Sequence, residues 1–158
     1  MPPLPPLEVA VIRNVEGWPE HFDELAEKAV LAALAGAKPK ITGAAEISVL
    51  LTDDEEQREL NAQWRGKDSS TNVLSFPQIE PFDPVMGILG DITLARETLE
   101  REAADLGKSL EDHFTHLMVH GFLHILGYDH IDEDEALQME GLETQILAGL
   151  GIDDPYAD

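Results

Sequence analysis

His120-Gly121-Phe122-Leu123-His124-Ile125-Leu126-Gly127-Tyr128-Asp129-His130 reads as the end of one helix and the turn that follows it. His120 and His124 are four residues apart, so on a helix they sit one turn apart on the same face and can share one metal ion. His130 cannot join them on a straight helix, because six more residues at about 1.5 Å each would carry it roughly 9 Å along the axis. The chain must turn back. Gly127 stands where the turn is needed, since the residue that closes a helix in the left-handed region is usually glycine. Three imidazoles converging on one zinc leave a fourth tetrahedral position open, which is the layout of a catalytic site rather than a closed structural one.

Outward from the motif, Leu117, Met118, Val119, Phe122, Leu123, Ile125 and Leu126 make the segment apolar nearly all round, as in a buried helix. Its polar residues, His116, His120 and His124, recur at intervals of four and form a single stripe that needs partners. His116 reads as packing or as steadying a ligand. His113, beside Glu111 and Asp112, reads as part of a solvated face. Asp129 is placed to fix a ligand imidazole. The spacing His-x3-His-x2-Gly-x2-His also matches a group of zinc proteases, except that Gly121 stands where those enzymes carry their glutamate base. A glycine moves no proton, so peptide hydrolysis is disfavoured and a zincin-type metalloprotease is only the alternative.

The rest of the chain supplies a scaffold. Residues 1–6 read as an extended, proline-rich lead-in, 7–152 as one domain and 153–158 as a tail. Leu7 to Val15 predicts a strand, and Pro19 to Gly36 a helix with apolar residues at helical spacing. Lys38 to Gly43 reads as a connector before a second strand, Glu46 to Leu51. Thr52 and Glu55 give a capping-box signal for a helix ending near Asn61 or Gln63, which makes the acidic run Asp53 to Glu56 a helix start rather than a metal site. Arg65 to Ser70 then reads as a loop and Thr71 to Phe76 as an extended segment. Glu80 to Gly87 is a loop before a strand from Ile88 to Ala95, in which Asp91 has a structural role. Helices follow from Arg96 to Leu106, from Ser109 and Asp112 into the histidine motif, and from Asp132 and Glu135 with Ala136, Met139, Leu142, Ile146 and Leu147 facing inward. The sum is an α+β fold: a single domain with a mixed sheet of about four strands, surrounding helices and a zincin-like metal-site helix.

Composition bounds the function. At 158 residues the chain is one domain's length, and with no cysteine it has neither disulfides nor thiolate metal ligands, as suits a cytoplasmic protein. No signal peptide and no membrane-spanning run are visible. A net charge of -22 runs against nucleic-acid binding, which normally uses a basic footprint. Every Lys and Arg lies at or before Lys108. Any RNA-binding surface must therefore be assembled from residues such as Arg58, Arg65, Lys67, Arg96 and Arg101, whose local field outweighs distant charges beyond a Debye length of about 8–10 Å.

The histidine motif, together with Arg65-Gly66-Lys67-Asp68, Thr71-Asn72-Val73-Leu74-Ser75-Phe76-Pro77 and Leu89-Gly90-Asp91-Ile92, resembles in order the signatures of the YbeY family of metal-dependent bacterial endoribonucleases. The resemblance implies one Zn2+ ion held by His120, His124 and His130, with Arg65 as the residue most tied to activity. It also implies single-strand cleavage in ribosomal RNA processing, at the late maturation of the 16S rRNA 3′ end, and in ribosome quality control. The implied partners are ribosomal RNA, the small ribosomal subunit and its assembly factors, with no membrane. A non-enzymatic ribosome-assembly factor that uses the metal for stability is a further alternative. The oligomeric state is not fixed by the sequence.

Overall fold

A computed structural model describes residues 7–129 and 131–156. Four strands, β1 (Leu7–Arg13), β2 (Ile41–Thr52), β3 (Val73–Pro77) and β4 (Val85–Ala95), form one mixed sheet in the order β1-β2-β4-β3. The β1-β2 and β2-β4 pairs are parallel, and β3 runs antiparallel to β4. The parallel pairs require crossovers, which the helices provide: α1 (Phe22–Ala37) joins β1 to β2, and α2 (Asp54–Arg65) follows β2. After the sheet come α3 (Arg96–Leu106), α4 (Leu110–Leu126) and α5 (Glu133–Gly149). This is the expected single α+β domain with a four-stranded mixed sheet.

The core forms where α4 meets the sheet and the other helices. Phe114, Met118, Val119, Phe122, Leu123 and Ile125 of α4 are fully buried, with Ile47, Val49 and Leu51 of β2 and Ile92 and Leu94 of β4. Alternate residues of β2 thus line one face, as the period of a strand requires. Trp18, Phe22 and Phe114 pack edge-to-face or tilted, with ring centroids 4.8–5.8 Å apart. Trp18 satisfies its indole N–H on the Thr52 carbonyl, 2.9 Å away. On β4, buried Thr93 exchanges hydrogen bonds with Gln57 of α2: the Thr93 hydroxyl donates to Oε1 at 2.8 Å, and Nε2 donates to the Thr93 carbonyl at 3.1 Å.

Several boundaries differ from the sequence expectation, each for a local reason. β2 starts at Ile41 and β4 at Val85, because Ile41 pairs with Val85 and the Val85 N–H donates to the Lys40 carbonyl at 2.7 Å. Pairing therefore overrides the polar, proline-containing composition of 38–43 and 80–87. The N-cap of α2 is Asp53 rather than Thr52: its carboxylate accepts from the Glu56 N–H at 2.9 Å, while the Thr52 hydroxyl donates to the Glu56 carboxylate at 2.5 Å. At the other end α2 runs on through Arg65 and closes at Gly66, in the left-handed region at φ +71°. The caps expected for α4 and α5 are present, with Ser109 accepting from the Asp112 N–H at 3.1 Å and Asp132 from the Glu135 N–H at 2.7 Å.

Candidate active site

The C-terminal end of α4 makes one wall of a cleft of about 640 Å³, within the range of small-ligand sites. Gly127 closes the helix at φ +119°, and the Tyr128 N–H reaches back to the Leu123 carbonyl at 3.0 Å. A Cβ on Gly127 would stand 2.8 Å from both the Phe82 nitrogen and the Pro81 Cα, so only glycine fits this turn. His120, His124, Tyr128 and Asp129 line the cleft from this side.

His120 and His124 meet as their spacing requires, with Nε2 atoms 3.1 Å apart. Two nitrogens bound to one tetrahedral zinc at about 2.0–2.1 Å lie about 3.3 Å from each other, so the pair fits a shared ion. The donor chemistry fits as well. Nδ1 of His120 is hydrogen-bonded to the Glu143 carboxylate, which assigns the proton to Nδ1 and leaves the Nε2 lone pair facing His124. Among the described residues no group of three His, Cys, Asp or Glu gathers around one point. His130, the third imidazole of the motif, lies outside the described residues.

Glu143 was not anticipated. It projects from α5 with no exposure, on the stripe of Met139, Ile146 and Leu147, and also accepts from the Tyr156 hydroxyl. His116 stands 3.8 Å away, in agreement with a steadying or packing role. Burial pushes the Glu143 carboxyl up, but its contacts with His116, His120 and Tyr156 outweigh burial and hold it down at about 2. Burial and the neighbouring carboxylate raise the Tyr156 phenol. A carboxylate on an otherwise apolar helical stripe was the available signal, since such a group needs partners. His113 also departs from expectation: only 4% of it is exposed, and its Nε2 pairs with Glu102 at 2.8 Å. Burial lowers its pKa, with Glu102 opposing. Helical phase, rather than its acidic sequence neighbours, sets its direction. Asp91 accepts from the Gln78 amide at 3.4 Å.

The facing wall is built from α2 and β3: Trp64, Arg65, Thr71, Asn72, Val73, Ser75, Phe76 and Pro77. Arg65 is the last residue of α2, not a loop residue, and its exposed guanidinium opens on the same cavity as the histidines. The segment after it is tied down. Arg58 forks onto both Asp68 oxygens at 2.7 and 3.1 Å, and the Asn61 amide donates to the Ser69 carbonyl at 2.8 Å. Among the described residues Arg13, Arg58, Arg96 and Arg101 are each ion-paired to a carboxylate, and Arg65 is not. Of the cations expected to meet RNA, three are thus engaged with acids; Arg65 lines the cleft, and Lys67 is exposed on the segment that follows it. Asn72 is held by Glu102 at 3.0 Å and by the Val73 N–H at 2.7 Å.

Gly121 lies where α4 rests on the sheet. The Ser75 hydroxyl donates to its carbonyl at 3.0 Å, and a Cβ there would meet Ile92 and Ser75 at 3.2 Å. The position at which zinc proteases carry a base is tightly packed here, and a side chain at it would need Ile92 and Ser75 to give by a few tenths of an ångström.

Comparison with known proteins identifies the family. Residues 13–151 match the family model described as endoribonuclease YbeY. The chain is 50% identical to the endoribonuclease YbeY of Allorhizobium ampelinum over 96% of this chain and 95% of that one. It is 52% identical to the protein of that name from Agrobacterium fabrum, again over 96% and 95%. The solution structure of TM1509 from Thermotoga maritima superposes with a TM-score of 0.57 at 22% identity, over 95% of this chain and 99% of that one, and shares the fold.

Proposed function

The chain belongs to the YbeY endoribonuclease family, and on that footing we propose that it cuts single-stranded RNA in ribosomal RNA processing, using one zinc ion held by His120, His124 and His130. The observation that carries the reading is the meeting of two imidazole Nε2 atoms at 3.1 Å in a cleft that also contains Arg65. When bound, zinc supplies Lewis acidity towards a phosphoryl oxygen and lowers the pKa of water towards 7. The chain's own residues do the rest. Glu143 fixes the ring orientation and tautomer of His120. Arg65 binds the scissile phosphate and stabilises the charge that builds on its oxygens, as a guanidinium fork does for phosphates generally. Gly121 offers no carboxylate for peptide hydrolysis, which leaves the protease alternative unsupported.

Small-subunit ribosomal RNA is the substrate proposed, with the small subunit and its assembly factors as partners and the cytoplasm as the place of action. Among the described residues no helix is long and apolar enough to cross a membrane. The test combines metal analysis of the purified protein with RNA cleavage in the presence and absence of a chelator. One equivalent of zinc, chelator-sensitive cutting and loss of both in His124→Ala are expected. Cutting by a metal-free protein would defeat the proposal, and so would RNA ends left unaltered by the metal-loaded protein.

A further inference from the structure

The chain has two tryptophans, and they are used in opposite ways. Trp18 is 6% exposed in the core, whereas Trp64 is 65% exposed and lines the cleft beside Arg65. Gln57, Asn61 and Trp64 recur at i, i+4 and i+7, so they share one face of α2. That face packs inward at Gln57 and Asn61, both buried, and comes out into the cleft at Trp64. The indole therefore points with the packed stripe of its helix, not with the solvated one. Among the described residues no other aromatic ring packs against it.

An indole left in water at the mouth of a charged site has an exposed π-face, and nucleobases stack on such faces regardless of sequence. The charge pattern makes this contact necessary. With a net charge of -22 and, among the described residues, Arg65 the one Lys or Arg that lines the cleft, phosphate attraction is a weak source of affinity. Two neutralised phosphates on a single strand correspond to a log–log salt slope of only about -1.4.

We propose that Trp64 is the platform on which a base next to the scissile phosphate stacks, so that this acidic protein selects single-stranded RNA by base stacking more than by charge. The inference rests on the ribonuclease reading above and names the subsite that grips the substrate. It explains a preference for unpaired RNA directly: a base inside a duplex has its faces covered by its neighbours and cannot lie on the indole.

The test uses the full, metal-loaded chain and two probes of equal length and backbone charge, single-stranded oligo(dA) and an abasic oligonucleotide, neither of which offers a ribonuclease a 2′-hydroxyl. Oligo(dA) should quench the emission of Trp64, with buried Trp18 as an internal reference, while the abasic strand binds at least about ten-fold more weakly. Trp64→Phe should retain binding by anisotropy. Trp64→Leu, apolar but without a π-face, should lose about ten-fold or more and raise KM for RNA cleavage accordingly. Equal binding of the two probes, an unchanged KM in Trp64→Leu, or a salt slope as steep as about -5 overturns the stacking assignment while the ribonuclease reading stands. Failure of that reading shows separately, as a wild-type protein that cuts no RNA, and overturns the assignment with it.

Discussion

The two walls of the cleft are built by opposite means. The α4–α5 wall is buried: its histidines sit on a helix covered nearly all round, and the carboxylate behind them, Glu143, is sealed from solvent and held by three neighbours. The α2–β3 wall is exposed, with Trp64, Arg65 and Lys67 open to water on a helix end and loop that backbone and side-chain hydrogen bonds tie down. The difference separates two tasks. Holding a cation at fixed geometry needs rings that cannot turn, which packing and a low-dielectric partner provide. Gripping a polymer needs groups that are solvent-facing before it arrives, which a capped helix terminus provides at little cost to stability. Substitutions on the first wall should therefore disturb stability and metal together, and substitutions on the second should disturb activity alone.

The most severe test lies where α4 meets the sheet. Gly121→Glu would restore the protease pattern in sequence, yet its Cβ would meet Ile92 and Ser75 at 3.2 Å and would bring a charged side chain to a buried position. A loss of about 3–5 kcal/mol is expected in denaturant unfolding, with no gain of peptidase activity. A stable variant that cleaves casein would refute the packing argument. Next, Arg65→Ala should lower kcat/KM for RNA cleavage by about 10²- to 10³-fold, while leaving the zinc content intact and the unfolding free energy within about 0.5 kcal/mol. If stability fell by several kcal/mol instead, the contrast between the walls would fail.

Glu143→Gln sharpens the comparison from the other side. The amide can still accept from His120 but carries no charge, so zinc affinity should fall about 10- to 100-fold in competition with a chromogenic chelator. Unchanged affinity would mean that the buried carboxylate does not steady the ligand. The smallest effect concerns His113. Its pKa is lowered from 6.5 by burial in the folded state, so the unfolded chain binds the proton more readily. The contribution to stability is complete above about pH 6.5 and is lost as pH falls through that value. Unfolding free energy should fall further between about pH 7.5 and 5.5 in the parent than in His113→Asn. Parallel profiles for the two proteins would show that the ring does not titrate on unfolding.

How much of this was legible in the sequence follows the range of the interactions. Ser109 with Asp112 and Asp132 with Glu135 were readable because a cap and its helix lie within four residues. The turn at Gly127 and the meeting of His120 with His124 were readable for the same reason, being set by helical period and one backbone angle. The starts of β2 and β4 were not, because Ile41 and Val85 become strand residues only by pairing with each other across the fold. Likewise the role of Glu143 depends on α5 docking on α4, and that of His113 on α3 supplying Glu102. Arg65 was identified as a residue but misplaced as loop, since Gly66 rather than the polar run before it ends the helix.

Tyr156 lies beyond the last helix, and its hydroxyl donates to the carboxylate that braces His120. The segment after α5 is thereby tied to the histidine pair. A protease nick just ahead of the tyrosine would loosen an imidazole that the cut does not touch in sequence.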